Sequence, residues 1–349
     1  MSVYKTFETD DIVRGNPSEV TTGLWSGETG SLVAFFSSST QAGGTSGQYY
    51  WDVYNMNPSS SDAETQFAVA YGHRTGGGGP TLNDSDTATL ATQAVYSQYR
   101  NLLLDPADEQ FSFGTLSKDH IYVINIYRAR IKERLDPGNW QINLSGSNGL
   151  FSFVDDSGQS LGTQFGRSGA VFNVVSGSLS GSLGTTIASN SSSAQGNYGL
   201  FYPSLGLLVL NPDALTSTVG FAVSSYTGTA APFAPVTSSS PTFQYNQAGL
   251  YRSIKLGADF QARSSEMISS THYFVRLRNK DFNYTNNPSF FDETTGEINQ
   301  QVFITDPKTY ATTVGLYNTN NELLAVAKTS RPIQKSFDTE VLLRVRLDW

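Results

Sequence analysis

The C-terminal stretch from Thr312 to Trp349 constrains the fold more than any other part of the chain. Two apolar runs, together spanning Thr313–Lys328, flank the Asn-rich segment Asn318-Thr319-Asn320-Asn321. This is the signature of a β-hairpin. The spacing predicts a Pro-containing turn next, and then a third alternating run over Glu340–Trp349. Chain ends fray unless something ties them down. A terminal Trp on a strand is therefore expected to lock into a sheet or against a neighbour. The contact candidates in these runs are Thr313, Leu316, Tyr317, Leu323, Val326, Val341, Leu343, Val345 and Trp349. An intramolecular sheet closing the chain's own core is the competing reading for the same residues.

Upstream, short apolar runs alternate with turn-rich spacers. Leu32–Phe36, Tyr49–Tyr54 and Phe67–His73 read as strands. Gly76–Pro80 reads as a loop. A helix is predicted to start at Asp84 or Ser85, with Ala91, Val95, Tyr99, Leu102 and Leu103 on one face, and to stop at Asp105-Pro106. Ile121–Ile126 reads as a buried strand from its β-branched content. Arg128–Leu135 reads as either a continued strand or a short helix. From Trp140 to about Tyr245 charge nearly vanishes, and strands recur at a spacing of roughly eight to twelve residues. That pattern predicts an all-β sandwich or barrel, left through a linker over Thr229–Pro241. Beyond it, Ala248–Ile254 can open a helix, and Thr271–Arg278 reads as a strand with Tyr273, Val275 and Leu277 on one face.

The expected fold is mainly β with a few short helices. Residues 1–139 and 246–349 would form an α+β anchoring body, with the low-charge β domain of residues 140–245 inserted between them. Only 15% of the 349 residues are charged, against about a quarter in a typical domain, which suits surfaces covered by other subunits. A net charge of -8 disfavours a nucleic-acid binder. Cysteine is absent, which removes disulfides and thiolate chemistry and fits assembly in a reducing cytoplasm. Met1–Glu8 does not read as a secretory signal, and no apolar run is long enough to span a membrane.

The chemistry-bearing residues do not converge. His73, His120 and His272 have no metal-ligand spacing. Asp155-Asp156-Ser157-Gly158 reads as a hairpin turn rather than a Ca²⁺ loop. The glycines of Gly76–Gly79 lack the Lys and Ser/Thr of a phosphate-binding loop. Arg128, Arg130, Lys132 and Arg134 form the only basic run, most cheaply explained as an exposed face. The expectation is no catalytic residue, no cofactor and no metal.

Several segments resemble a virion structural protein of contractile-tailed phages, of the T-even-like group that infects marine cyanobacteria. The resemblance is carried by Tyr50–Asn55, Phe67–Arg74, Tyr96–Leu104, Ile121–Asn125, Leu135–Trp140 and the hairpin ending at Ala327-Lys328. It implies a non-enzymatic tail or baseplate (wedge) component, built into the virion in the host cytoplasm. Its partners would be other tail or baseplate proteins and possible copies of itself, without nucleic acid or membrane insertion. Two other readings stand beside it. One is a neck or capsid decoration protein. The other is a carbohydrate-binding attachment module that uses aromatics such as Tyr49 and Trp51.

Overall fold

The computed structural model describes residues 4–38, 40–41, 45–76, 87–158, 164–179, 185–186, 195–220, 246–285 and 289–349. The sequence expectations for Gly77–Pro80, for the helix start at Asp84 or Ser85 and for the linker over Thr229–Pro241 lie outside these residues. The chain is mainly β, as its alternating patterns predict. It divides into two compact units, one formed by Glu19–Glu266 and the other by Met1–Ser18 with Met267–Trp349. The chain ends thus share a unit, but its limits fall at 18 and 267 instead of 139 and 246.

The larger unit is organised by a twelve-stranded antiparallel sheet. Its order runs Ser31–Leu32, Phe260–Gln261, Gln141–Gly146, Gly149–Asp155, Gly169–Ser176, Gly199–Tyr202, Leu207–Leu210, His120–Ile126, Thr65–His73, Trp51–Tyr54 and Phe36–Ser37. Gln164–Gly166 pairs beside Gly169–Ser176. Most described strands of the 140–245 region therefore extend the same sheet as the earlier strands, and only Ser178–Leu179 and Thr185–Thr186 pair apart from it as a two-stranded ladder. The long strands are apolar at nearly every position because both faces are covered.

The two edges of this sheet are nearly adjacent in sequence. Only Val33, Ala34 and Phe35 separate the edge strand Ser31–Leu32 from the edge strand Phe36–Ser37. Laid flat, ten strand spacings would hold those edges about 48 Å apart. The chain from Leu32 to Phe36 can span at most about 14 Å. The sheet must therefore curl until its ends approach. Inside the curl, Phe67 from one end and Phe260 from the other meet with ring centres 5.5 Å apart. Trp25 packs edge-on against Phe260 at 4.8 Å, and its indole N–H donates to the Phe260 carbonyl at 2.7 Å.

The helix Asn246–Gly257 lies on the inner face and touches both ends of the curl. Leu250 and Ile254 are fully buried. The Tyr251 hydroxyl donates to the Phe35 carbonyl at 3.1 Å, and the Gln247 amide donates to the Gly47 carbonyl at 2.7 Å. At its other end Gly257 lies so close to the strand Gln141–Gly146 that a Cβ would stand 2.0 Å from the Asn143 carbonyl oxygen. Part of the outer face is covered by the helix Thr87–Leu103. Its Ala91, Val95, Tyr99 and Leu103 are buried as the helical spacing predicts, whereas Leu102 is exposed. Asn211 caps a further helix, Pro212–Thr218, accepting from the Asp213 and Ala214 amides.

In the smaller unit, Ser270–Leu277 is the centre of a three-stranded sheet between Ile12–Arg14 and Val341–Asp348. A separate hairpin pairs Thr309–Tyr317 with Leu323–Lys335. The predicted Pro-containing turn is not a turn: the second hairpin strand continues through Pro332 to Lys335. A wide irregularity between the Ala311/Ile333 and Thr313/Lys328 pairs absorbs the proline, which cannot donate to a ladder.

The outer helix sits on the sheet only because residue 72 is glycine. A Cβ there would lie 2.7 Å from the Tyr96 backbone nitrogen. Gly72→Ala is expected to lower stability by about 1–3 kcal/mol through overpacking, read as a fall in the urea midpoint with an unchanged slope. An unchanged midpoint would contradict this packing.

Candidate assembly surface and polar clusters

The C-terminal contact candidates divide into two groups. Val341, Leu343 and Val345 pair across the ladder with Leu277, Val275 and Tyr273 and share one face of the three-stranded sheet. Phe7 adds its ring to that face, 5.5 Å from Tyr273. These side chains serve the unit's own interior, and Leu316 of the hairpin is buried as well. Trp349 is divided within itself. Its backbone exchanges two hydrogen bonds with Ser269, at 3.0 and 2.9 Å, while its indole is 64% exposed.

Thr313, Tyr317, Leu323 and Val326 remain on the exposed face of the hairpin. Tyr317 pairs with Leu323, and Gly315 pairs with Val326. A Cβ on Gly315 would meet the Tyr317 ring at 2.9 Å and Leu323 at 3.2 Å, so both side chains lean over the glycine. Tyr4 extends this cluster, packing edge-on against Tyr317 at 5.0 Å. Leu324, displaced by the register shift near Tyr317, is 69% exposed, and Val326 is 58% exposed. Among the described residues each hairpin strand pairs with one neighbour only. Each therefore presents an outward row of N–H and C=O groups, a template for a further strand.

Both ends of the hairpin are held firmly. At the turn, the Asn318 side-chain oxygen accepts from the Asn320 and Glu322 amides, each at 2.9 Å, and Asn321 takes the left-handed conformation at φ 62°. Asparagine tolerates that conformation better than most residues. At the base, the buried Lys335 ammonium donates to the Asn279 carbonyl, Asn283 Oδ1 and the Ser336 carbonyl at 2.9, 2.8 and 2.6 Å. Burial pushes its pKa down, and Asp281 and Glu340 oppose that shift. The apolar cluster is thus displayed on a stem that is hydrogen-bonded at both ends.

The larger unit holds a polar cluster that the sequence spacing did not reveal. His73 and His120 face each other on neighbouring strands, with ring centres 6.0 Å apart. His120 Nδ1 meets the Tyr71 hydroxyl at 3.2 Å, and its Nε2 meets Asp213 Oδ1 at 2.9 Å. Lys118 donates to the other Asp213 oxygen at 2.7 Å. Burial, and then the neighbouring His120, hold His73 below the usual imidazole range. Burial raises the Asp213 carboxyl, but Lys118 and His120 outweigh it, so its pKa is lowered on balance. The cluster ties the helix Pro212–Thr218 to the strand His120–Ile126. The Asn211-Pro212 start signal in the sequence could have located that helix.

Of the remaining chemical candidates, His272 sits in the three-stranded sheet of the smaller unit with a buried Nδ1 that has no hydrogen-bond partner among the described residues, and the others are committed to structure. Asp155 accepts from the Ser157 and Gly138 amides, and Asp156 accepts from the Asn173 amide and side chain. Of the basic run, Arg130 pairs with Glu64, Lys132 with Glu266 and Arg134 with Glu19, while Arg128 donates to backbone carbonyls. Among the described residues, no group of three or more His, Cys, Asp or Glu is placed to hold a metal ion. No helix among them is long and apolar enough to cross a membrane. No protein family, curated protein or solved structure matches the chain.

A carboxyl held below its ordinary pKa stabilises the fold above that ordinary value, and the contribution is lost as pH falls through the lowered folded value. Asp213→Asn should therefore melt at a lower temperature than wild type from neutral pH down to about 4, with the two curves converging below it. Thermal melts between pH 7 and pH 2.5 test this. A constant gap across the whole range would assign the cluster no ionic role.

Proposed function

We propose that this chain is a structural component of a contractile phage tail, most simply a baseplate protein, that assembles through contacts between subunits. The exposed apolar hairpin cluster carries this reading. Tyr317, Leu323, Leu324 and Val326 stand on that stem between two unpaired strand edges. Each of these side chains is worth about 1.5–3 kcal/mol when fully buried. Left in water they are an aggregation liability, whereas against a neighbouring subunit they anchor. The resemblance of the segments from Tyr50 to Lys328 to a T-even-like virion protein supplies the kind of particle. The low charge fits a chain that packs among neighbours.

The occupant of the hairpin edge is a strand of an adjacent tail subunit. Its backbone would extend the ladder, and its apolar side chains would cover the cluster. Such a chain needs no catalytic residue, and its work would be mechanical: holding neighbours in register while the tail contracts.

The test begins with the double substitution Leu324→Glu and Val326→Glu, two exposed positions that leave the interior intact. The variant should keep the wild-type melting temperature and fail to enter particles when it replaces the wild-type chain in phage-infected cells. Immunogold labelling with an antibody to the wild-type chain should mark the tail end distal to the head. Gold at head lattice positions or at the neck would replace this reading with the decoration-protein alternative. Particles that incorporate the variant at wild-type level would remove the hairpin from the interface.

A further inference from the structure

Asn125 is anomalous in its strand. Ile121 to Ile124 and Ile126 are all buried, and Asn125 is exposed in the same run. The register explains what it faces. Asp52 lies opposite Ala68, and Ala68 lies opposite Asn125. Three adjacent strands thus align a carboxylate, a methyl group and a carboxamide in one row. Two strand spacings, about 10 Å, separate the outer pair, and the small Ala68 leaves a hollow between them. The helix Thr87–Leu103 covers the sheet beyond this point and borders the hollow with Val95, Gln98 and Tyr99.

The result is a cleft of about 580 Å³, within the ~300–1,000 Å³ usual for small-molecule sites. Tyr49, Tyr50 and Tyr127 line it with exposed rings, and Arg128 joins them. The floor is braced at one end, where the Asp52 backbone N–H donates to the Gln41 side-chain oxygen at 3.0 Å, and Tyr99 lines the cleft together with Asn125. A carboxylate still has acceptor sites to spare, and a carboxamide keeps both a donor and an acceptor. Trp51, by contrast, is buried on the opposite face with its N–H on the Gly47 carbonyl at 3.1 Å, so it takes no part.

We propose that this cleft binds a neutral saccharide. Tyrosine rings offer flat apolar faces with a polar tip, which suits the C–H face of a pyranose ring and its hydroxyl rim. Asp52 and Asn125 supply the paired acceptor and donor groups that vicinal hydroxyls require. The opposite charges of Asp52 and Arg128 leave the cleft without a net charge to select an ionic ligand. The Arg128 guanidinium also spends two donors on the Ile131 and Lys132 carbonyls, which weakens any case for a phosphate. Among the described lining residues Asp52 is the only carboxylate. Glycoside hydrolysis ordinarily takes a pair, so the cleft binds its sugar without cleaving it.

The cleft lies within Glu19–Glu266 and the hairpin within the other unit, so either proposal stands if the other fails. The test is a glycan array carrying neutral hexose and N-acetylhexosamine oligosaccharides beside sialylated and sulfated ones. Isothermal titration with the strongest ligand then follows, on the full chain. Neutral glycans should bind, and Asn125→Ala and Tyr127→Ala should each weaken the titrated affinity tenfold or more while keeping the wild-type melting temperature. Both positions are exposed, so the fold tolerates the changes. No binder on the array, binding confined to acidic glycans, or unchanged affinity in both variants would each overturn the proposal.

Discussion

Closure of the large sheet is the constraint on which the rest of the larger unit depends. Its two edge strands are tethered by Val33-Ala34-Phe35, so the other strands must curve round a common interior. That interior is filled by the largest rings in the chain, with Trp25, Phe67 and Phe260 meeting where the two ends approach. The helix Asn246–Gly257 then spans the ends from within. Chain segments more than two hundred residues apart are thereby joined, as in the hydrogen bond from Tyr251 to Phe35. Such long-range pairing is entropically costly to nucleate and slow to form.

Curvature also explains why the open cleft falls on the outside. The inner face is consumed by packing, and the outer face is only partly covered by the helix Thr87–Leu103. Where that cover ends, the row from Asp52 through Ala68 to Asn125 is open to solvent. In the smaller unit the same logic operates at an edge. The three-stranded sheet uses Val341, Leu343 and Val345 for itself, and the adjoining hairpin keeps Leu324 and Val326 outside.

Local pattern was legible wherever one element decided its own fate. The β-branched run Ile121–Ile126, the apolar face of Ala91, Val95, Tyr99 and Leu103, and the hairpin around Asn318 all stand where periodicity and turn chemistry place them. What periodicity cannot convey is which strand lies beside which. The low charge of residues 140–245 suggested a separate domain, yet most of its described strands lie in one sheet with Trp51–Tyr54 and Thr65–His73. Pro332 suggested a turn because a ladder rarely admits proline, and an irregular register accommodates it instead. The cluster of Tyr71, His120 and Asp213 was hidden because its members are far apart in sequence. Only pairing across the sheet and the helix at Asn211 bring them together. Asn125 did carry a signal, as a polar residue inside an apolar run, but it gained meaning only with Asp52 two strands away.

The four tryptophans are unequally placed. Trp25, Trp51 and Trp140 are buried in the larger unit, and Trp349 alone holds its ring in solvent, on a backbone pinned to Ser269. The chain therefore carries a built-in optical division between its units. Buried indoles of this kind are expected to emit to the blue and to be shielded from acrylamide, and the exposed terminal indole to emit to the red and be quenched more readily. Anything that covers the end of the smaller unit will register in the red component alone, with no label attached.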